Sequence, residues 1–155
     1  MARDPVEAQR EFYASRSHAH LQPQATDVYS ARLVARLVEE MGITPGARVL
    51  EVGAGFGRFT FELLKHCESL VALDLSEAAL ARLVEARDAR GVSSERCRPH
   101  CADLQQLSID ALGGPFDFVV GFFILHHLPD YRAAIARLVP CLETGGRMGF
   151  IEPNR

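Results

Sequence analysis

The chain has 155 residues, 48% of them apolar and 24% charged, which suits one globular domain with a hydrophobic core. A formal net charge of −3 gives no electrostatic reason for a phosphate backbone or an anionic membrane as partner, and no stretch approaches the ~20 apolar residues of a membrane span. The N-terminus lacks the apolar run of a signal peptide, so the expected location is the cytoplasm, with Cys67, Cys97, Cys101 and Cys141 as reduced thiols.

The first predicted element is a short helix to Ser15, started by Asp4 as cap, Pro5 at the first helical position and Glu7 in a capping-box arrangement. The polar segment 15–24, SRSHAHLQPQ, has no clear period and reads as a loop able to act as a lid, with His18 and His20 as solvated loop residues. Thr26 is the expected cap of a second helix, whose apolar stripe runs through Val28, Leu33, Val34, Leu37, Val38 and Met41 and stops at Gly42.

From Ala47 onward strand and helix patterns alternate. Strands are expected at Arg48–Val52, Leu70–Leu73, Arg96–Cys101, Pro115–Gly121 and Arg147–Ile151, the last behind a Gly145-Gly146 turn. Helices are expected through Phe59 to about Cys67, from a Ser76 cap to Gly91, and from Pro129 to Leu142 with a bend or stop near Pro140. This alternation predicts an α/β fold: a Rossmann-like, doubly wound, mostly parallel sheet with helices on both faces. Residues 1–45 would form N-terminal helices and a lid, and residues 46–155 the ligand-binding core.

In such a sheet ligands sit beyond the carboxyl ends of the strands, where the strand order reverses. The first strand ends in VLEVGAGFGRFT, an acid (Glu51) and three glycines (Gly53, Gly55, Gly57) in the pattern E-x-G-x-G-x-G. Glycines let a ligand approach the backbone closely, and the pattern departs from the dinucleotide fingerprint G-x-G-x-x-G because Arg58 stands at its third glycine position. The second strand ends at Asp74, about 20 residues after the first glycine, the offset at which an acid accepts ribose hydroxyls. Asp103 follows the third strand, where its carboxylate can accept an adenine amine while backbone groups of Ala102 and Leu104 meet the ring edge. Cys97, His100 and Cys101 in CRPHC have no second cluster to complete four metal ligands, so no metal is expected.

The glycine string resembles motif I of the class I S-adenosylmethionine-dependent methyltransferases, and FDFVVGFFILHHLPD and LETGGRMGFIEPN resemble later motifs of the small-molecule members, many of which carry the phrase LHHL. The match runs in order from Val49 to Ile151. The resemblance implies that Gly53, Gly55 and Gly57 line the methionine part of S-adenosylmethionine, that Glu51 anchors that turn, and that Leu75 packs on the adenine. It also implies that Gly121 and Phe122 approach the sulfonium, and that methyl transfer to a small-molecule acceptor releases S-adenosylhomocysteine. His126 and His127 lie near the expected acceptor entry, and His127 is the preferred base candidate. GFFI stands where adenine- and glutamine-methylating enzymes carry N-P-P-Y or D-P-P-Y, which disfavours nucleic acid, and Phe12, Tyr13, Phe122 and Phe123 point to an apolar acceptor. Two other readings stand beside it: a catalytically silent S-adenosylmethionine-binding module, and a nicotinamide-dependent oxidoreductase. The family core adds an antiparallel hairpin beside strand 5, whereas this sequence stops at Arg155. The expectation is therefore a fragment truncated after strand 5, with an edge prone to self-association.

Overall fold

The computed structural model describes residues 4–15 and 27–154. Helix α1 (Pro5–Ser15) starts as expected, the Asp4 carboxylate accepting the Val6 N–H at 3.0 Å. Helix α2 (Val28–Met41) is capped by Asp27, whose carboxylate accepts the Ser30 N–H; the expected cap, Thr26, lies outside the described residues, as do residues 16–24 of the expected loop, His18 and His20 among them. Val34, Leu37 and Met41 are buried, while Val28 is 60% exposed and does not belong to the buried stripe. Gly42 ends α2 in the left-handed region at φ 70°, where a residue with a Cβ is strained.

Strands β1 (Arg48–Val52), β2 (Ser69–Asp74), β3 (Cys97–Cys101), β4 (Phe116–Phe122) and β5 (Leu142–Ile151) form one all-parallel sheet in the order β3-β2-β1-β4-β5. Each central strand feeds two apolar layers because successive side chains alternate faces. Val49, Leu70, Ala72 and Val120 join Val34, Leu37, Leu63 and Leu80 on one side; Leu50, Val52, Leu73 and Val119 join Leu104, Leu112, Ala134 and Leu138 on the other. This is the doubly wound α/β architecture, Rossmann-like in kind.

Connections differ from the expected ones in three places. Helix α3 spans only Thr60–Leu63, because Arg96 reaches in from the start of β3 and donates to the Leu64 and Cys67 carbonyls, and the Glu68 N–H is taken by Ala47 O. The backbone groups that would continue the helix are already paired. Helix α4 (Glu77–Ala89), capped by Ser76, follows expectation, and α5 (Ile109–Leu112) is a single turn. Helix α6 (Tyr131–Leu138) is capped by Asp130 rather than opening at Pro129, and ends before Pro140, which lacks an N–H to continue the ladder. Finally, β5 begins at Leu142, so Gly145 and Gly146 sit in a register shift within the strand rather than in a turn ahead of it. A Cβ on Gly146 would lie 2.9 Å from Glu143 O and 3.0 Å from Asp117 O, so only glycine fits this bulge.

Among the described residues β3 and β5 are the sheet edges, and no helix is long and apolar enough to cross a membrane. Met41 of α2 packs against the backbone of β5 at Gly149, and Arg147 donates to Met41 O at 3.3 Å.

Candidate active site

Strand order reverses at β1, between β2 and β4, and a cavity of about 190 Å³ opens at their carboxyl ends. Of the residues expected there, Gly53, Gly55, Asp74, Leu75, Ala102, Asp103, Leu104, Phe122 and His127 line this cavity. Glu51, Gly57 and Gly121 do not line it.

The turn after β1 explains the division. A Cβ on Gly57 would come within 2.8 Å of the Phe61 ring, and on Gly121 within 2.7 Å of Phe150, so these two glycines let side chains of the fold pack closely. Gly53 makes room for Ile124, also at 2.7 Å, although it lines the cavity as well. Gly55 alone of the turn glycines combines a left-handed backbone, φ 53°, with open space where a Cβ would stand. It is a cradle that a side chain would fill.

Asp74 holds this turn to the sheet. Its carboxylate accepts the Gly55 N–H at 2.8 Å with one oxygen and the Ser76 N–H at 2.8 Å with the other, while Gly53 and Ala54 donate to Leu73 O. Burial pushes the Asp74 carboxyl above its ordinary value, and the N–H groups of Ser76, Gly55 and Leu75 pull in the other direction. The carboxylate thus meets the backbone with both oxygens and keeps acceptor capacity for a ligand. Asp103 caps the short turn Leu104–Gln106 by accepting the Gln105 N–H at 2.8 Å.

Glu51 is buried behind the turn and receives the Thr60 hydroxyl at 2.6 Å. Burial raises its carboxyl from the ordinary 4.5 to about 7, the Thr60 bond opposing and the Asp74 charge adding to the rise. A raised folded-state value means that the unfolded chain loses this proton first as pH rises. Glu51 therefore subtracts stability progressively from pH about 4.5 to about 7, by up to about 3 kcal/mol. Glu51→Gln keeps an acceptor for Thr60 and should flatten this part of the curve. The check is urea unfolding of both proteins at pH 5 and pH 8, with the variant gaining on the wild type far more at pH 8 than at pH 5.

The β4 side of the cavity is aromatic. Phe59 stacks on Phe122 with ring centroids 4.3 Å apart and meets Phe123 edge-on at 5.9 Å. Phe123 adopts φ 55° without being glycine, its N–H held by Ile151 O, which turns the chain sharply off the strand end. Glu152 fixes the turn beyond Phe123: one carboxylate oxygen accepts both the Ile124 and Leu125 N–H groups at 2.8 Å, and the other meets His126 Nδ1 at 2.7 Å. His127 reaches the cavity, with its ring 4.0 Å from that of His126. Glu152→Ala leaves two amides and an imidazole without their shared acceptor and should lower stability by about 2 kcal/mol, with Glu152→Gln milder. Denaturant titration measures both.

Among the contributors that escaped the sequence reading as site residues are Arg58, Arg10 and Phe59, which line the cavity, and Glu152, which shapes it. Glu152 directly follows β5, so the rule that singles out strand ends also points to it. Phe12 is 45% exposed and does not line the cavity, and the Tyr13 side chain lies outside the described residues. In CRPHC, Cys97 is buried and its thiol is pushed up to about 12, whereas Cys101 is exposed. Among the described residues no group of three metal-ligating side chains converges.

Residues 50–148 match the profile of a methyltransferase domain. Among curated relatives, nodulation protein S of Sinorhizobium fredii is 33% identical over 109 residues, covering 68% of this chain and 47% of that protein. A ubiquinone biosynthesis O-methyltransferase of Coxiella burnetii is 27% identical over 120 residues, 77% of this chain and 49% of that protein. The chain thus spans about half or less of the length of the curated relatives it matches. The solved N-methyltransferase NodS from Bradyrhizobium japonicum WM9, in complex with S-adenosyl-L-homocysteine, superposes with a TM-score of 0.72 at 24% identity, covering 95% of this chain and 72% of that one. With the profile running from β1 through most of β5, over the strands that build the cavity, the chain belongs to the methyltransferase-domain family.

Proposed function

We propose that the cavity binds S-adenosylmethionine and that the chain transfers its methyl group to a small-molecule acceptor, releasing S-adenosylhomocysteine. The observation that carries this reading is the pairing of an open Gly55 cradle with the Asp74 carboxylate at the strand-order reversal. The residues fit the cofactor: Asp74 offers acceptors to ribose hydroxyls, Asp103 an acceptor to an amine, and Leu75, Ala102 and Leu104 apolar and backbone surface to a purine. When bound, the cofactor supplies a methyl group already activated on a sulfonium.

The chain's own residues then align and desolvate. Phe59, Phe122 and Phe123 would exclude water from the β4 side of the cavity. Where the acceptor carries a proton, His127 is the cavity-lining imidazole placed to take it. Gly121 and Glu51 act from behind, through packing and through Thr60. Val6 and Arg10 of α1 contribute to the cover of the cavity, and the strand ends of the sheet form the cofactor-binding core. The net charge of −3 favours a small molecule over nucleic acid, in a cytoplasmic setting, with the β5 edge as the surface for self-association.

The test is release of S-adenosylhomocysteine from S-adenosylmethionine in the presence of a panel of phenolic, amine and thiol acceptors. Acceptor-dependent release is expected. Cofactor binding without release from any acceptor would favour the silent binding module.

A further inference from the structure

We propose that Glu152 is a positioning residue for methyl transfer, fixing through His126 the direction in which the His127 ring faces the cavity. The inference rests on the methyl-transfer reading above, with His127 as its base, and gives a purpose to a carboxylate that does not itself line the cavity. Glu152 stands directly after β5, against the turn that carries Phe123, Ile124 and His127 into the cavity wall. Three consecutive N–H groups of that turn go to the end of β5: Phe123 to Ile151 O, and Ile124 and Leu125 to a single Glu152 oxygen.

The second oxygen separates aiming from bracing. With both amides on Oε1 the turn is already capped, and Oε2 could be left to water, since the Glu152 side chain is 25% exposed. It meets His126 Nδ1 at 2.7 Å instead. Burial pulls the Glu152 carboxyl up, but the His126 ring and the Leu125 and Ile124 amides outweigh it and hold the group below its ordinary value. An ionised carboxylate only accepts, so the proton of this bond sits on Nδ1.

One directional bond thus fixes the His126 ring, whose centroid stands 4.0 Å from that of His127 with the planes 40° apart. At that separation the rings touch, and His127 cannot swing toward His126 unless that ring moves as well. A base oriented by a neighbour that a third group holds is the arrangement that keeps a proton acceptor in line with its substrate. The turn also reaches the opposite wall, for Ile124 fills the space 2.7 Å from where a Gly53 Cβ would stand. Loss of the turn would therefore disturb ligand binding at Gly53 together with His127, whereas loss of aim alone would spare it.

The experiment compares Glu152→Gln, His126→Phe and the double variant with the wild type in the full chain. The glutamine carbonyl still accepts both turn amides, but its NH₂ group cannot accept the Nδ1 proton; the phenylalanine keeps a ring beside His127 and offers nothing to Oε2. With the phenol, amine or thiol of the panel above that supports release, each single variant should lower kcat by about tenfold while acceptor KM and S-adenosylhomocysteine Kd change less than about threefold. The double variant should lie within about twofold of the singles, because one chain of contacts is cut twice. Long-range proton–nitrogen NMR spectra of the imidazoles read the aim without turnover: His126 protonated on Nδ1 in the wild type and bare there in Glu152→Gln, with the His127 signals displaced in both single variants. Unchanged kcat, unmoved His127 signals, or a fall in kcat matched by an equal loss of S-adenosylhomocysteine affinity would overturn the assignment and leave the methyl-transfer reading intact. Absence of release from any acceptor by the wild type would overturn that reading and this inference with it. Should Glu152→Gln fail to fold, His126→Phe carries the same kinetic and spectral tests.

Discussion

Gly55→Val should abolish measurable binding of S-adenosylhomocysteine, a loss of at least about a hundredfold, or about 3 kcal/mol. Two independent effects act in the same direction. At φ 53° a β-branched residue is strained by about 1–2 kcal/mol, and any relaxation moves the Gly55 N–H away from the Asp74 carboxylate that holds it at 2.8 Å. The branched side chain also enters space that is open beside the cavity and empty of protein atoms within 4 Å, so the fold has little reason to reject it while the ligand has much. Calorimetry combined with a thermal melt separates these outcomes: a folded variant that binds normally would show that the ligand does not lie against this turn. Gly57→Ala provides the contrast, because there the obstruction is Phe61 and Leu83 and the expected loss is chiefly of stability.

Asp74→Ala is the second large effect, expected to weaken binding by about 1.5 to 3 kcal/mol through loss of charge-assisted bonds to the ribose. The structure adds a cost absent from a ligand-only argument, since the Gly55 and Ser76 N–H groups lose their acceptor and the turn loses its tie to β2. Asp74→Asn should fall between wild type and alanine: one amide oxygen still accepts an N–H, but its NH₂ group faces the other donor. Titration with S-adenosylhomocysteine, alongside urea unfolding, reports the binding and stability parts separately. Unchanged affinity in a folded Asp74→Ala protein would remove Asp74 from the site.

Much of the framework was legible in the sequence because the relevant signals are local. β1 runs from Arg48 to Val52 as the apolar run before the glycines indicates, and Ser76 caps α4 where the cap chemistry places it. The roles of the individual glycines were not legible, because what separates Gly55 from Gly53, Gly57 and Gly121 is the presence of Ile124, Phe61, Leu83 and Phe150 nearby in space. The same holds for Arg58, whose partners Asp27 and Ser30 belong to an earlier helix, and for Glu152, which caps a turn formed 27 and 28 residues before it. The brevity of α3 likewise depends on Arg96, a residue of a later strand connection that takes over its carbonyls. Common polar residue types at long separation carry no periodic signature, so such ties emerge only from the folded chain.

The central claim is that this cavity is an S-adenosylmethionine site, and calorimetric titration of the chain with S-adenosylhomocysteine and, separately, with NADH tests it most directly. The account predicts saturable one-to-one binding of S-adenosylhomocysteine that disappears in Gly55→Val, and no heat of binding with NADH. Binding of NADH with none of S-adenosylhomocysteine would contradict it.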